Sequence, residues 1–497
     1  MKVLLLGIDA LDRLILDEMG DELPNLSALR REGVDLLLKS TFPPDSDTAW
    51  ATISTGLNPA QHGIVRFVDP LEKSYQILNV GSTNEVLRGK TFWELIGAAG
   101  YKTHAIFPHL CYPIWPTPGT MVARGSSVVD VQMSNPSLHD LYPNQDVLMG
   151  VRGFPNSGVE GLQKRAQELA NLAKADATFA LRVMEQSEWD LFFAYWSTLD
   201  QVGHFYWNYY DRDDPNFIEG HPLQQVIPDT YRLYDEIVGQ FLTAVSADTT
   251  VIVMSDHGHG TRPFKLVNAN ELLRQAGFLQ ARNLKTNPHL NLYEQTKRMG
   301  IRTVSRLGLG KLAGRVLRHF PGVVQSFTRP TSINWEDTIA YASDMSGIKS
   351  YSYGGIIINR DALNGRDYET VRDEIIALLQ EQCVLPDGTP LLKFIARREE
   401  LYEGPFLTNY PDIILEFIYG YGLGWAVHTP LITQADAHNL VPGSHRGDTG
   451  TFLMRSVHPV AGDVIDLHDV TPTLLDMFAV PHPRQYDGRS VLAERVG

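Results

Sequence analysis

The sequence predicts an α/β fold built on a central, mostly parallel sheet with helices on both faces. Two patterns indicate this class. Short apolar runs typical of buried strands alternate with helical patterns, and several of these runs stop abruptly in polar residues. Ligands of such sheets bind at the carboxyl ends of the strands. The polar residues that follow the apolar runs are therefore the first candidates for a functional site.

The alternation can be followed along the chain. The pattern predicts a buried strand at "KVLLLGID" (2–9), a helix that Gly33 ends, a helix within 91–101 and a strand in "KTHAIF" (102–107). It continues with a long helix over 161–187, strands within 189–198 and 249–260, a late strand at 450–456 and a helix at 469–478.

The segment from 280 to 345 breaks this alternation and is predicted to be an inserted helical cap. The catalytic domain would then comprise residues 1–279 and 346–497, with a small α+β lobe near 353–417. The cap is basic, since Glu294 is the only acidic residue between Ala281 and Pro330. The same stretch holds ten Lys and Arg residues: Arg282, Lys285, Lys297, Arg298, Arg302, Arg306, Lys311, Arg315, Arg318 and Arg329. Both a solvated helical face and a cationic lid or docking surface for an anionic substrate or lipid fit this pattern.

Composition restricts the class of protein. The 497 residues are 43% hydrophobic and 20% charged, as in ordinary soluble proteins. A net charge of −15 argues against a nucleic-acid polymer as partner. We expect no transmembrane segment, because no apolar run approaches about 18 residues. Cys111 and Cys383 are far apart and form no metal-type pair, so a reducing, cytoplasmic location is expected.

Three carboxylates and three imidazoles lie at predicted strand ends. They are Asp9 after the first strand, Asp200 and His204 after "DLFFAYWST", Asp256 and His257 after "TVIVM", and His445 in the Gly-rich loop "GSHRGDTG". Carboxylates and neutral imidazoles together suit divalent ions such as Zn²⁺ or Mn²⁺, and six ligands are enough for two ions. Taken alone, each of these residues or residue pairs also fits a helix cap, a turn or a surface helix pair.

The stretch "STFPPDSDTAWATISTG" (40–56) contains a candidate nucleophile. Ser46 directly precedes an apolar-periodic helix that ends near Gly56, so its hydroxyl lies where the helix dipole favours an oxyanion. A divalent cation lowers the pKa of such a hydroxyl without a neighbouring base. The structural alternative is that Ser46 only caps the helix.

Taken together, these residues resemble the alkaline phosphatase superfamily, and within it the type I phosphodiesterase/nucleotide pyrophosphatase group. The resemblance rests on "GIDALD" (7–12), "PPDSDTAWATISTGLNPAQHGI" (43–64), "STLDQVGHFYW" (197–207), "MSDHGHG" (254–260) and "GSHRGDTGTF" (443–452). It implies an alkaline phosphatase-like fold and a site with two divalent metal ions, Zn²⁺ first and Mn²⁺ as the alternative.

The resemblance also implies roles for individual residues. One metal would be held by Asp9, Asp256 and His257 and would contact Ser46; the other would be held by Asp200, His204 and His445. The nucleophile in this group lies nine residues before the Thr of a "TG" pair. Here that Thr is Thr55, and nine residues before it is Ser46. Thr41, in the local sequence "TFPP", is the alternative nucleophile.

Two departures from the group concern the substrate. Most members have Thr as nucleophile where this chain has Ser, and an Asn expected shortly after "HGI" is missing. Arg66 in that place would either contact the phosphate in a bidentate manner or form an ordinary salt bridge. His259, after "DHG", would support the metal ligands from behind, face the substrate or belong to a turn.

The sequence thus predicts a two-metal phosphohydrolase, first of all a phosphodiesterase of the nucleotide pyrophosphatase type, acting through a phosphoseryl intermediate. A phosphomonoesterase and a phosphotransferase or mutase of the same superfamily are the alternatives, followed by a binding protein with a vestigial anion site. The expected partner is a small phosphate ester, with nucleotides among the candidates. No pattern in the sequence predicts the oligomeric state.

Overall fold

The computed structural model describes residues 1–65, 85–125, 130–142, 158–282, 333–343, 351–456 and 458–493. The chain divides into two compact units. Unit 1 comprises Met1–Ile64, Asn79–Gly260 and Gly443–Gly497, and unit 2 comprises Val65–Leu78 and Thr261–Pro442. Most of the predicted cap (280–345), with its basic stretch, lies outside the described residues, and the proposed domain boundaries stay a prediction.

Unit 1 is built on a nine-stranded sheet. Its strands are β1 (Val3–Ile8), β2 (Val34–Lys39), β3 (Thr103–Ile106), β4 (Thr120–Arg124), β5 (Val131–Met133), β6 (Leu191–Trp196), β7 (Thr250–Met254), β17 (Gly450–Arg455) and β18 (Val464–Asp466). They are arranged in the order β18-β2-β17-β7-β1-β6-β3-β4-β5. The pairs around the centre, from β7 to β4, are all parallel, which confirms the predicted class of sheet.

The register of the three central strands creates the site. Strand β1 runs parallel to β6 on one side and to β7 on the other, with Ile8 beside Trp196 and Gly7 beside Met254. All three strands therefore end at one edge of the sheet. The residues that follow, among them Asp9 and Asp256, meet there as the sequence predicts.

Helices cover both faces of this sheet. They are α1 (Arg13–Glu18), α2 (Pro24–Glu32), α3 (Ser46–Thr55), α4 (Pro59–His62), α5 (Phe92–Ala98), α6 (Val159–Gln186), α7 (Thr198–Tyr210), α8 (Val226–Ala244) and α11 (Val470–Met477). Alternate side chains of β1 enter two separate cores, because successive residues of a strand point to opposite faces. Leu4 and Leu6 pack in the core that α6, α7 and α8 line, whereas Leu5 packs in the core that α3, α5 and α11 line.

Unit 2 has its own core and two sheets. A four-stranded antiparallel sheet in the order β10-β11-β13-β12 consists of β10 (Ala340–Ser343), β11 (Tyr353–Ile358), β12 (Leu392–Arg397) and β13 (Ile413–Phe417). A three-stranded sheet joins β9 (Lys265–Asn268), β14 (Tyr421–Gly424) and β15 (Ile432–Gln434), and the helices are α9 (Ala269–Gln275) and α10 (Tyr368–Gln382). The predicted α+β lobe is contained in this unit.

Two short strands carry site residues that the sequence assigned to loops or turns. Strand β8 (Gly258–Thr261) contains His259, and it pairs with β16 (Gly443–Arg446), which contains His445. The prediction of a Gly-rich loop is therefore wrong for His445, which lies in β16 together with Gly443, whereas Gly447 lies in the bend between β16 and β17. Both histidines are buried.

His62 fastens the segment after α3 to the helix itself. Its Nε2 lies 2.9 Å from Thr52 Oγ1, and its Nδ1 accepts a hydrogen bond of 3.0 Å from the backbone N–H of Ile64. Burial, with a contribution from Lys90, lowers the pKa of His62 to about 3. This histidine is consequently neutral in the folded protein at every pH above that value.

We expect His62 to make unit 1 sensitive to acid. The unfolded chain binds a proton at His62 as the pH falls below the ordinary value of 6.5, whereas the folded chain does not, so stability decreases as the pH falls from 6.5 towards 3. His62→Gln should flatten this dependence by about 1.4 kcal/mol per pH unit. Denaturant unfolding of both proteins between about pH 6 and pH 4.5 measures the difference. Equal slopes would contradict the assignment.

Candidate active site

Ser46 is the first residue of helix α3, but it does not cap the helix. The cap is Asp45, whose side chain accepts a 3.1 Å hydrogen bond from the backbone N–H of Asp47. The hydroxyl of Ser46 is thus available for other contacts. Its Oγ lies 3.1 Å from His257 Nε2 and 3.5 Å from Asp9 Oδ1. The capping alternative for Ser46 is therefore excluded by the geometry.

Thr41, the alternative nucleophile, has a different environment. Its buried hydroxyl donates a 3.0 Å hydrogen bond to the backbone carbonyl of Pro43. That contact stabilises the turn before α3 and is typical of a structural threonine. Of the two candidates, Ser46 is the one whose hydroxyl contacts the predicted metal ligands.

Asp9, Asp256 and His257 form the first cluster of predicted ligands. Their ligand atoms all lie within 4.8 Å of one another, and the side chains are at most 2% exposed. His257 Nε2 is 3.2 Å from Asp256 Oδ2 and 3.6 Å from Asp9 Oδ1. Its Nδ1 faces the carbonyl of Gly258 at 2.9 Å, so a proton on Nδ1 leaves the Nε2 lone pair directed at the carboxylates.

Two aromatic side chains hold Asp9 in place. Trp50 Nε1, on α3, donates a 3.2 Å hydrogen bond to Asp9 Oδ2, and the Tyr195 hydroxyl at the end of β6 donates to the same oxygen. Sequence reasoning did not identify either residue. The only available signal was a polar tip in each of two otherwise apolar segments, which is common in any core.

The carboxylates of this cluster are unstable as anions in the absence of a cation. Burial, together with repulsion from Asp256 and Asp200, holds the pKa of Asp9 well above its ordinary range. Burial and the Asp200 charge likewise raise the pKa of Asp256 to about 7. A divalent ion removes both penalties, so the chemistry of the donors fits a metal.

Asp200, His204 and His445 form the second cluster. Asp200 and His204 are one helical turn apart on α7, and Asp200 Oδ1 lies 3.4 Å from the Nε2 atoms of both His204 and His445. Backbone carbonyls orient the two rings: His204 Nδ1 is 3.0 Å from Gly443 O and His445 Nδ1 is 2.8 Å from Pro44 O. Although burial opposes ionisation, the two imidazoles hold the pKa of Asp200 well below its ordinary range.

Unpartnered oxygens provide a second test of the metal interpretation. Asp200 Oδ1 and Asp256 Oδ2 are buried atoms without a hydrogen-bond partner among the described residues. Such atoms are rare in native proteins unless a ligand or an ion completes them. One lies in each cluster, so both clusters fit a divalent cation.

His259 lies beside the second cluster. It is 3% exposed, and its Nδ1 is 3.7 Å from Asp200 Oδ1. The sequence left three roles open for this residue: support of the metal ligands, a substrate contact, or a turn. The turn is wrong, because His259 lies in β8. Arg66, the other predicted substrate contact, lies outside the described residues.

The family is established by the sequence itself. The sequence profile of the type I phosphodiesterase/nucleotide pyrophosphatase family matches residues 3–421. The chain belongs to this family. The predicted enzyme class, a metal-dependent phosphoric ester hydrolase, is thereby confirmed. The matched range includes Ser46 and every residue of the two clusters except His445.

Solved structures share the fold. The human ectonucleotide pyrophosphatase/phosphodiesterase 5 is 14% identical, with a TM-score of 0.50 over 98% of this chain and 97% of that chain. Phosphonoacetate hydrolase from Sinorhizobium meliloti, in complex with phosphonoformate, is 13% identical, with a TM-score of 0.57 over 97% and 95% of the two chains. These likenesses confirm the alkaline phosphatase-like α/β class of the family member described here.

Two further findings concern curated relatives and membrane-spanning helices. No curated protein matches the chain significantly. Within the described ranges, none of the helices combines the length and the apolar character that crossing a bilayer requires. The cytoplasmic location expected from the cysteines stays a prediction.

Proposed function

We propose that this family member is a two-metal phosphodiesterase of the nucleotide pyrophosphatase type that uses Ser46 as its nucleophile. The observation that carries the proposal is the position of Ser46 Oγ, 3.1 Å from His257 and 3.5 Å from Asp9 at the start of α3. A hydroxyl in contact with buried candidate metal ligands is typical of an activated nucleophile.

Two divalent ions would be held by the two clusters. Asp9, Asp256 and His257, with Ser46, would hold one, and Asp200, His204 and His445 would hold the other. When bound, such a pair lowers the pKa of a nucleophilic hydroxyl and neutralises charge on phosphoryl oxygens. Zn²⁺ is the first expectation for their identity, with Mn²⁺ as the alternative.

The chemistry assigned to the chain consists of two displacements at phosphorus. Ser46 Oγ forms a bond to phosphorus while the bond to the leaving alkoxide oxygen breaks, which gives a phosphoseryl ester. Water then cleaves the Oγ–P bond, releasing the phosphate monoester and restoring the hydroxyl. Helix α3, with its positive dipole end at Ser46, favours the charge that develops on the phosphoryl oxygens.

The substrate expected from this chemistry is a small phosphate ester, with nucleotides among the candidates. A phosphomonoesterase would need an additional positive group for the second ionised oxygen of a monoester. Arg66 is the residue that the sequence offers for that role, and it lies outside the described residues. Because the chain belongs to the type I phosphodiesterase/nucleotide pyrophosphatase family, we keep the diester as first choice.

A comparison of two chromogenic substrates tests the choice. With Zn²⁺, Mn²⁺ or Mg²⁺ supplied, we expect bis-p-nitrophenyl phosphate to be turned over with a higher kcat/KM than p-nitrophenyl phosphate. The reverse order would identify a phosphomonoesterase. Adding glycerol and measuring its phosphorylated product separates hydrolysis from phosphotransfer, because only a phosphotransferase passes most phosphoryl groups to the alcohol.

A further inference from the structure

The imidazole of His259 is buried, and no described residue forms a hydrogen bond with either ring nitrogen. Both Nδ1 and Nε2 are inaccessible to solvent and unpartnered among the described residues, and the side chain as a whole is 3% exposed. Burial of two polar atoms without partners is costly. Since none of the residues that the structure describes supplies these partners, the position of the ring indicates a bound ligand.

The surroundings of the ring are built to hold it. A Cβ atom on Gly203 would lie 2.7 Å from the ring, and one on Gly443 would lie 2.6 Å from Nε2, so only glycine leaves the space at both positions. Trp207 packs against the ring with centroids 5.3 Å apart. The backbone N–H of His259 donates a 2.9 Å hydrogen bond to the buried carboxylate of Asp12. Gly203, Gly443 and Trp207 thus enclose the ring on three sides.

The remaining side of the ring faces the second cluster. His259 Nδ1 lies 3.7 Å from Asp200 Oδ1, and the rings of His259 and His204 have centroids 4.9 Å apart. Within the described part of the chain, this Asp200 oxygen also lacks a hydrogen-bond partner. Ligand atoms of Asp200, His204 and His259 all lie within 4.8 Å of one another. Three potential metal-ligating groups therefore converge at this point.

A second buried histidine, His104, shows that an unpartnered ring nitrogen alone does not indicate a metal ligand. His104 is buried, and its Nδ1 also lacks a hydrogen-bond partner in the described ranges. Its ring, however, packs near Phe192, and its Nε2 faces the backbone carbonyl of Glu188. His259 differs because a carboxylate and further imidazoles surround its free nitrogen. His104 consequently serves as a matched control.

We propose that His259 is a direct ligand of the second metal ion, together with Asp200, His204 and His445. This inference rests on the proposed two-metal site. It makes the two positions chemically different, with three imidazoles and one carboxylate in one, and two carboxylates, one imidazole and a hydroxyl in the other. Nitrogen-rich sites favour Zn²⁺ or Co²⁺, whereas oxygen-rich sites accept Mn²⁺ and Mg²⁺ more readily.

Metal binding tests the inference directly and without an activity assay. Metal-free wild-type protein, His259→Ala and the control His104→Ala are titrated with Zn²⁺ in competition with a chromogenic chelator. We expect two equivalents in all three, with the affinity for one of them reduced at least about tenfold in His259→Ala alone. Co²⁺-loaded proteins should differ in their visible spectra in the same way, because the bands report the ligands.

The outcomes separate this inference from the proposed function. If wild-type protein binds two equivalents and His259→Ala binds both with unchanged affinity and an unchanged Co²⁺ spectrum, the assignment of His259 is overturned while the two-metal site remains. If wild-type protein binds fewer than two, both fail. Should His259→Ala not fold, His259→Gln replaces it, since it retains the volume and a hydrogen-bonding group.

A mixed-metal experiment tests the predicted difference between the two positions. With one equivalent of Zn²⁺ and an excess of Mn²⁺, wild-type protein should retain one of each ion after gel filtration. His259→Ala should lose most of its Zn²⁺ to Mn²⁺. Equal replacement of Zn²⁺ in the variant and in wild-type protein would contradict the nitrogen-rich site.

Discussion

Replacing Ser46 with alanine is expected to lower kcat for phosphodiester hydrolysis by a factor on the order of 10³ or more, because the substitution removes the attacking oxygen. The metal content should remain close to that of wild-type protein, since Asp9, Asp256 and His257 are unchanged. Steady-state kinetics and elemental analysis of the same preparation measure both quantities.

The control for this prediction is Thr41→Val. The Thr41 hydroxyl donates to the carbonyl of Pro43, so its loss should cost some stability but leave kcat within a few-fold of wild type. If Thr41→Val were inactive and Ser46→Ala active, Thr41 would be the nucleophile and the proposed role of Ser46 would be wrong.

Asp256→Asn is expected to abolish turnover and also the stabilisation that metal ions provide. Asp256 is fully buried, and burial and the Asp200 charge raise the pKa of its carboxyl to about 7. Above that pH the metal-free wild-type protein bears the cost of a buried anion, which the amide avoids. At about pH 8 the metal-free variant should therefore be at least as stable as metal-free wild type.

Adding metal reverses that order. Wild-type protein should gain Tm on binding the ions, since a ligand of the native state stabilises it, whereas Asp256→Asn should gain much less. The matched control is Asp235→Asn, at another buried carboxylate, which accepts a 2.8 Å hydrogen bond from the Leu26 N–H at the start of α2. This control should lose about 1 kcal/mol of stability with and without metal. Equal metal-induced gains in wild type and Asp256→Asn would contradict the assignment.

The part of the site that the sequence predicted follows from local signals. Asp9 and Asp256 end strands whose apolar runs are unmistakable, and parallel strands of one sheet present their carboxyl ends at the same edge. The spacing of Asp200 and His204 places both on one face of α7 for the same kind of local reason. The fold class and these positions therefore needed no knowledge of distant contacts.

The parts that the sequence did not predict depend on contacts between distant segments. One exception is local: whether Asp45 or Ser46 caps α3 depends on where the backbone enters the helix, and the sequence leaves this open because both residue types cap helices. The pairing of strand β8 with β16 buries His259 and His445 together, and no local sequence pattern predicts this pairing. The hydrogen bonds of Trp50 and Tyr195 to Asp9 are equally non-local.

Trapping the covalent intermediate tests the central claim most directly. The metal-loaded enzyme is mixed with a diester carrying labelled phosphorus, quenched in acid during turnover and digested, and the labelled peptide is sequenced by mass spectrometry. We predict label on Ser46, and none in Ser46→Ala treated in the same way. Label on Thr41 or another residue, or turnover at the wild-type rate in Ser46→Ala, would contradict the proposal.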